Sequence, residues 1–252
     1  MGAAEEKESR GFPRRGKAPT LSEARRFKHM SQRDQLSQTS NLWLAETLWT
    51  LGAVQFGSFT LGRTTVDSPI HINLRLLIGH PMALDRAARI IRDELRALQS
   101  MLHPQVHPFD IVAGVPFGGL HVATAFSLTA KVPMVYLHPR PDDLGSDIEG
   151  IYHPNERALI MDDLLAGGGS ILETALQLGE AGLMVGDAVV LLDRQQGGRE
   201  RLQRQGINLV SLLTLEVLLN YLMSNGKIAE DWYRKSMAFL ESQPDFTLET
   251  DS

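Results

Sequence analysis

The stretch Ala158-Leu-Ile-Met-Asp162-Asp163-Leu-Leu-Ala166-Gly167-Gly168-Gly169-Ser170-Ile-Leu-Glu173 reads, in that order, as a buried strand, two acids, a glycine turn and the start of a helix. The run 158–161 has strand length and no polar alternation, which suits a strand covered on both faces, as in parallel sheets. Asp162 and Asp163 follow at its carboxyl end, where open α/β sheets hold their ligands. Ser170 with Glu173 three residues later has the form of a capping box, so a helix is predicted from Ser170 with three glycines just ahead of its positive end. Without Cβ atoms, such a turn can bring several backbone N–H groups onto one phosphate. The two carboxylates suit hydroxyl donors or a bridging Mg²⁺ better than the phosphate itself. A strand, a glycine turn and a capped helix also join where nothing binds, and the paired acids are what favour a sugar-phosphate pocket here.

Both flanks continue the alternation. Strands are predicted at 109–113, 132–137, 188–192 and 207–213, and helices at 120–128, 170–181 and 200–205. Residues 114–119 and 138–154 read as loops, the second long and polar. A further helix runs over 214–224, with Thr214 as its N-cap and Gly226 after its end. This order predicts an α/β fold, a mainly parallel sheet flanked by helices. Ahead of it, a helix at 42–51 ending at Gly52, short strands at 54–61 and 70–74 around a polar turn at 62–67, and a helix from Pro81 to Leu102 form a small amino-terminal piece. The division expected is a leader 1–40, a main domain 41–240 whose first part is 41–80, and a frayed tail 241–252.

Composition narrows the chemistry. The chain has 252 residues and no cysteine, which excludes disulfides, thiolate nucleophiles and Cys-ligated metals. Residues 1–38 hold nine Lys and Arg against five Asp and Glu, while the other 214 hold 16 against 25, so the net charge of −5 hides a basic leader on an acidic body. The leader's Arg14-Arg15-Gly-Lys17 and Arg25-Arg26-Phe-Lys28 clusters could meet an anionic partner, which the sequence does not identify; a solvated, disordered leader explains them as well. Glu5, Glu6 and Glu8 count against a transit peptide, and no apolar signal region or membrane span is visible, so a cytoplasmic protein is expected.

With those residues in place, the chain resembles the type I phosphoribosyltransferases, and within them orotate phosphoribosyltransferase, over 42–226. Four segments carry the likeness: the 158–170 signature for phosphoribosyl pyrophosphate (PRPP); the amino-terminal hood with Gly52-Ala-Val-Gln-Phe56-Gly-Ser-Phe59-Thr-Leu and Ser68-Pro69-Ile-His-Ile-Asn-Leu74-Arg75; Gly114-Val-Pro116-Phe117-Gly118-Gly119-Leu, similar to the pyrophosphate loop; and Asp193-Arg194-Gln195-Gln196-Gly197-Gly198, similar to the segment whose arginine meets the pyrimidine base. The resemblance implies transfer of phosphoribose from PRPP to orotate, giving orotidine 5′-monophosphate and pyrophosphate through an oxocarbenium-like transition state. It implies a homodimer and Mg²⁺ carried by PRPP. Ala166, Gly167, Gly168, Gly169 and Ser170 would cradle the 5′-phosphate. Asp162 and Asp163 would hold the ribose hydroxyls and, with PRPP, the Mg²⁺. Pro116, Phe117, Gly118 and Gly119 would face pyrophosphate, and Arg194, with Phe59 of the hood, would take the base.

The departures fall on catalysis. Where the family carries a mobile loop rich in lysine and arginine, this chain has His138-Pro139-Arg140-Pro141-Asp142-Asp143-Leu144-Gly145-Ser146. It contains no lysine, and its two acids repel pyrophosphate. Gly62 stands where the family has a lysine, with Arg63 next, and Ala166 replaces a threonine. Arg140, His138 and Arg63 are the candidate compensating cations. Two functions therefore stand: the transferase, and a catalytically weak or inactive paralogue that binds PRPP or a nucleotide in a sensing or scaffolding role.

Overall fold

The apolar run at 158–161 occupies the middle of the main sheet. The computed structural model describes residues 41–61, 65–138 and 148–242. Helix α1 (Leu42–Thr50) leads into an antiparallel hairpin of β1 (Val54–Leu61) and β2 (Thr65–Ile72), a 3₁₀ turn (Leu74–Gly79) and helix α2 (Pro81–Gln99). Strand and helix then alternate through β3 (Ile111–Gly114), α3 (Gly118–Ala130), β4 (Met134–Leu137), β5 (Ile148–Glu149), β6 (Arg157–Leu165), α4 (Gly169–Glu180), β7 (Met184–Asp193), α5 (Gly198–Arg204), β8 (Asn208–Thr214), α6 (Leu215–Ser224) and α7 (Glu230–Glu241). The sheet order is β5-β4-β3-β6-β7-β8, parallel except for β5, which runs antiparallel to β4. The mainly parallel α/β fold with its small hood is therefore as expected.

Central strand β6 divides two hydrophobic layers by strand alternation. Leu159 and Met161 enter one layer with Ala87, Ile91 and Leu95 of α2, Phe126 of α3, Leu218 and Leu222 of α6, and hood residues Leu48, Ile70 and Leu77. Ala158 and Ile160 enter the other, with Ile171 and Leu178 of α4 and Leu202 of α5. Both faces are covered, which is why the run shows no polar alternation. Each fully buried Leu or Ile contributes about 1.5–3 kcal/mol. The hood thus shares a core with the sheet.

The structure moves several predicted boundaries. β6 does not stop at Met161: ladder pairs Asp162 with Val190 and Leu165 with Asp193 extend it, so both acids lie within the strand. The capping box is absent. Gly168, left-handed at φ +77°, is the N-cap of α4; Ser170 already lies in the helix, and no side chain caps it. Glycine takes that conformation without the Cβ penalty, so the serine is not needed there. Helix α3 starts at Gly118, two residues before the predicted start, and absorbs Gly118 and Gly119 into its first turn. β2 begins at Thr65, inside the predicted turn, and α2 ends at Gln99, leaving Leu102 91% exposed rather than on a buried stripe. The loop after His138 contains the short strand β5, and α7 was not anticipated: its Trp232 packs against Phe56 of the hood, a tertiary contact with no local signal. Thr214 does cap α6, its Oγ1 accepting from the Val217 N–H at 3.3 Å. The leader 1–40, Arg63, the loop 139–147 and residues 243–252 lie outside the described residues.

Candidate active site

Three backbone segments converge at the carboxyl ends of β3, β6 and β7, and small residues let them touch. Beyond β3, the Val115 N–H donates to the Met161 carbonyl at 2.9 Å. A Cβ on Gly119 would collide with that same carbonyl and come within 2.9 Å of Asp162 Cα; one on Gly118 would run into the Asp163 carboxylate. The absence of side chains at these two positions seats the start of α3 directly on the acid pair. Pro116 and Phe117 bridge β3 to α3, and the Phe117 side chain is exposed.

Asp162 is buried, and its Oδ1 accepts the Asp163 N–H at 2.8 Å. Burial first, and the neighbouring Asp163 charge second, push the Asp162 pKa well above the ordinary carboxylate value. The hydrogen bond from the Asp163 N–H and, more weakly, Arg75 of the 3₁₀ turn oppose that shift without reversing it. Arg75, His121 and Asp163 share a small cleft under the hood, floored by Leu74, Val122 and Leu191. The pair is therefore an acceptor site held partly out of water, and hydroxyl donors or a cation would favour its ionised form.

Beyond β6 the glycine turn is open. Cβ atoms built on Gly167 or Gly169 would meet nothing within 4 Å, so the protein's own side chains do not fill it. No acceptor among the described residues takes the N–H groups of Gly167, Gly168, Gly169 and Ser170. Unpaired amides at the positive end of a twelve-residue helix are suited to an anion with several acceptor oxygens.

The third segment is rigid. Asp193 accepts the Gln195 N–H at 2.8 Å and the Arg199 Nε at 3.1 Å, while the other Arg199 nitrogens reach the Leu209 carbonyl and Ser211 Oγ, each at 2.9 Å. Burial raises the Asp193 pKa, and Arg199 opposes that shift. Gln195, with φ +55°, accepts the Glu216 N–H at the start of α6. Within this frame the Arg194 N–H donates to the Leu165 carbonyl at 2.8 Å, which ties the arginine to the end of β6. The residue is only 4% exposed; its Nη2 reaches Ser68 Oγ at 3.2 Å, and Nε has no partner. Burial lowers its pKa to about 10, which leaves it cationic at neutral pH. A buried, under-satisfied guanidinium is suited to a carboxylate, which it can take in a two-pronged grip.

Phe59 lies on β1 opposite Ser68 in the hairpin ladder, its ring 5.4 Å from that of His71, so the hairpin brings it next to the partner of Arg194. Ala166 joins β6 to the glycine turn, and His138 directly follows β4. Among the described residues no cluster of three or more His, Asp or Glu could hold a metal. Ser68, Arg75, Gln196 and Arg201 were not assigned roles from sequence. Ser68 and Arg75 sat unread inside the hood motif. Gln196 is buried with neither amide atom partnered, and Arg201 Nη1 reaches the Gly167 carbonyl at 3.3 Å. Only the fold reveals these placements.

No family model matches the chain. Among curated proteins it is 36% identical over 200 residues to uridine 5′-monophosphate synthase of Bos taurus, covering 79% of this chain and 40% of that one. It is 35% identical over 190 residues to orotate phosphoribosyltransferase of Chlamydia caviae, covering 73% of this chain and 86% of that one. The chain belongs to the orotate phosphoribosyltransferase family. The crystal structure of orotate phosphoribosyltransferase from Aeropyrum pernix superposes with a TM-score of 0.60 at 33% identity, over 71% of this chain and 99% of that one. The chain thus spans nearly all of some relatives and two fifths of the bovine one.

Proposed function

We propose that this chain transfers the phosphoribosyl group of PRPP to orotate, forming orotidine 5′-monophosphate in pyrimidine nucleotide synthesis. The bond from C1′ to the pyrophosphate oxygen breaks with its electrons leaving on pyrophosphate, and a bond from C1′ to the orotate ring nitrogen forms as that nitrogen loses its proton, which the departing pyrophosphate can accept. The observation that carries the base assignment is Arg194, a buried cation with an unpaired Nε whose backbone N–H is tied to Leu165, just ahead of the glycine turn. In this reading it grips the orotate carboxylate, the 167–170 amides receive the 5′-phosphate, and Asp162 and Asp163 accept from the ribose hydroxyls. Seated on the acid pair, Gly118 and Gly119 leave the adjoining backbone free to approach pyrophosphate.

Mg²⁺ fits this donor set as a passenger of the substrate rather than as a resident ion. Two adjacent carboxylates are too few for a protein cage, but Mg²⁺ is commonly held by one or two carboxylates together with substrate phosphates. When bound it would offset negative charge on the departing pyrophosphate. A cytoplasmic homodimer, in which each subunit lends its 138–146 loop to the other, belongs to the same reading.

The test is twofold. Thermal unfolding in saturating Mg·PRPP should shift upward, because a ligand at 100 times its Kd stabilises by about 2.7 kcal/mol. Orotate consumption and pyrophosphate release should then appear together, and a flat thermal response would remove the reading. The lysine-free loop supports a second reading, a slow or inactive PRPP-binding paralogue. Binding without turnover would select it.

A further inference from the structure

We infer that Arg201 is a positioning residue for the phosphate turn: by holding the Gly167 carbonyl toward α5, it aims the Gly168 N–H at the ligand. The inference rests on the phosphate reading of that turn.

The argument is one of peptide geometry. In a trans peptide the carbonyl and the following N–H point in opposite directions. Two successive carbonyls of this turn face α5. Ala166 O stands so close to Gly198 that a Cβ there would collide with it, and Gly167 O accepts from Arg201 Nη1 at 3.3 Å. Their peptide partners, the N–H groups of Gly167 and Gly168, are thereby turned away from α5. The turn is not packed by the protein's own atoms at its first and last glycines, since Cβ atoms on Gly167 and Gly169 would meet nothing within 4 Å. Helix α5 thus holds the outside of the turn so that its inside presents amides.

Without a restraint this aim is easily lost. Three consecutive glycines have the widest choice of backbone conformation, and a carbonyl free to rotate would present an oxygen where the phosphate needs a donor. Gly198 supplies the first restraint by contact. Arg201 supplies the second, directional one, from a segment that Asp193 and Arg199 lock to β8. The base-side segment and the phosphate turn are therefore held by one piece of backbone, with Arg194 and Arg201 projecting from it.

Isothermal titration of the full chain with Mg·PRPP, inorganic phosphate and orotate, on wild type, Arg201→Ala and Arg201→Lys, tests this. Arg201 is exposed, so both variants should melt as the wild type does. One surface hydrogen bond that sets a backbone direction should change PRPP and phosphate affinity about three- to tenfold in Arg201→Ala. Orotate affinity should stay unchanged, and Arg201→Lys, which retains a donor, should recover most of the loss. In steady-state kinetics the effect should fall on KM for PRPP and spare kcat. Unchanged PRPP affinity in Arg201→Ala, or an equal loss for orotate, overturns the inference while leaving the phosphate reading intact. Failure of the wild type to bind PRPP or phosphate overturns both.

Discussion

Arg194 and Ser68 stand 126 residues apart and meet at 3.2 Å, a buried guanidinium donating to a hydroxyl rather than to a carboxylate. The contact joins the end of β7 to the hood, and it leaves Nε without an acceptor. Core stability alone gives no reason for such a charge, because a buried charge without a counter-charge is costly and even buried ion pairs can often be replaced by apolar groups without loss of stability.

That contrast gives the first prediction. Arg194→Met should leave the melting temperature unchanged or higher, while orotate affinity falls about 30-fold or more. Arg194→Lys should recover little, since an ammonium lacks the planar fork. Calorimetric titration with orotate and a thermal melt of each variant are the checks. Because the Arg194 pKa lies at about 10, wild-type orotate affinity should be flat from neutral pH to about 9 and fall above about 10 as the cation is lost.

Asp162 predicts a pH dependence of stability. Burial and Asp163 hold its folded-state pKa well above the ordinary value, so the folded chain grips that proton more tightly than the unfolded chain does. The resulting stabilisation is complete below the ordinary carboxylate pKa and is lost as pH rises through the raised one. Asp162→Asn cannot ionise, yet keeps an oxygen for the Asp163 N–H. Its melting temperature should exceed that of wild type, by more at pH 8 than at pH 5, while Mg·PRPP affinity drops. Melts at both pH values and one PRPP titration decide it.

Gly118 and Gly119 should fail differently. At Gly119 a methyl meets the backbone of Met161 and Asp162, which cannot move without displacing β6, so Gly119→Ala should lose about 2–4 kcal/mol in urea unfolding. At Gly118 the obstacle is the Asp163 side chain, which can rotate. Gly118→Ala should therefore fold, with PRPP affinity reduced as Asp163 is displaced.

Turnover should respond to charge in the loop after β4. Pro139→Lys with Asp142→Lys removes one acid and supplies two cations, and on the proposed reading of that loop kcat should rise about tenfold or more at unchanged orotate affinity. An unaltered kcat in a chain that binds PRPP would show that the lost lysines do not limit the rate.

Much of this protein was legible in the residues themselves. Local physics made it so: the unbroken apolar run 158–161 means a strand covered on both faces, Thr214 announces the helix it caps, and a triplet of glycines after two acids announces a turn that can approach an anion. Boundaries were less legible where tertiary pairing overrode the pattern. β6 runs on through Asp162 and Asp163 because β7 supplies ladder partners, and α4 starts from a left-handed glycine rather than from the serine that looked like its cap.

The sequence by itself determined the α/β alternation, the order of the segments and which residue types stand at the strand ends, since each depends on neighbours a few positions away. Only the tertiary structure decided that Arg194 is buried against Ser68, that the positive charge of Arg75 acts on Asp162, and that Arg201 reaches the Gly167 carbonyl. Those relationships join residues from 34 to 126 positions apart. Burial, direction and electrostatic field at such distances are properties of packing, and no local pattern encodes them.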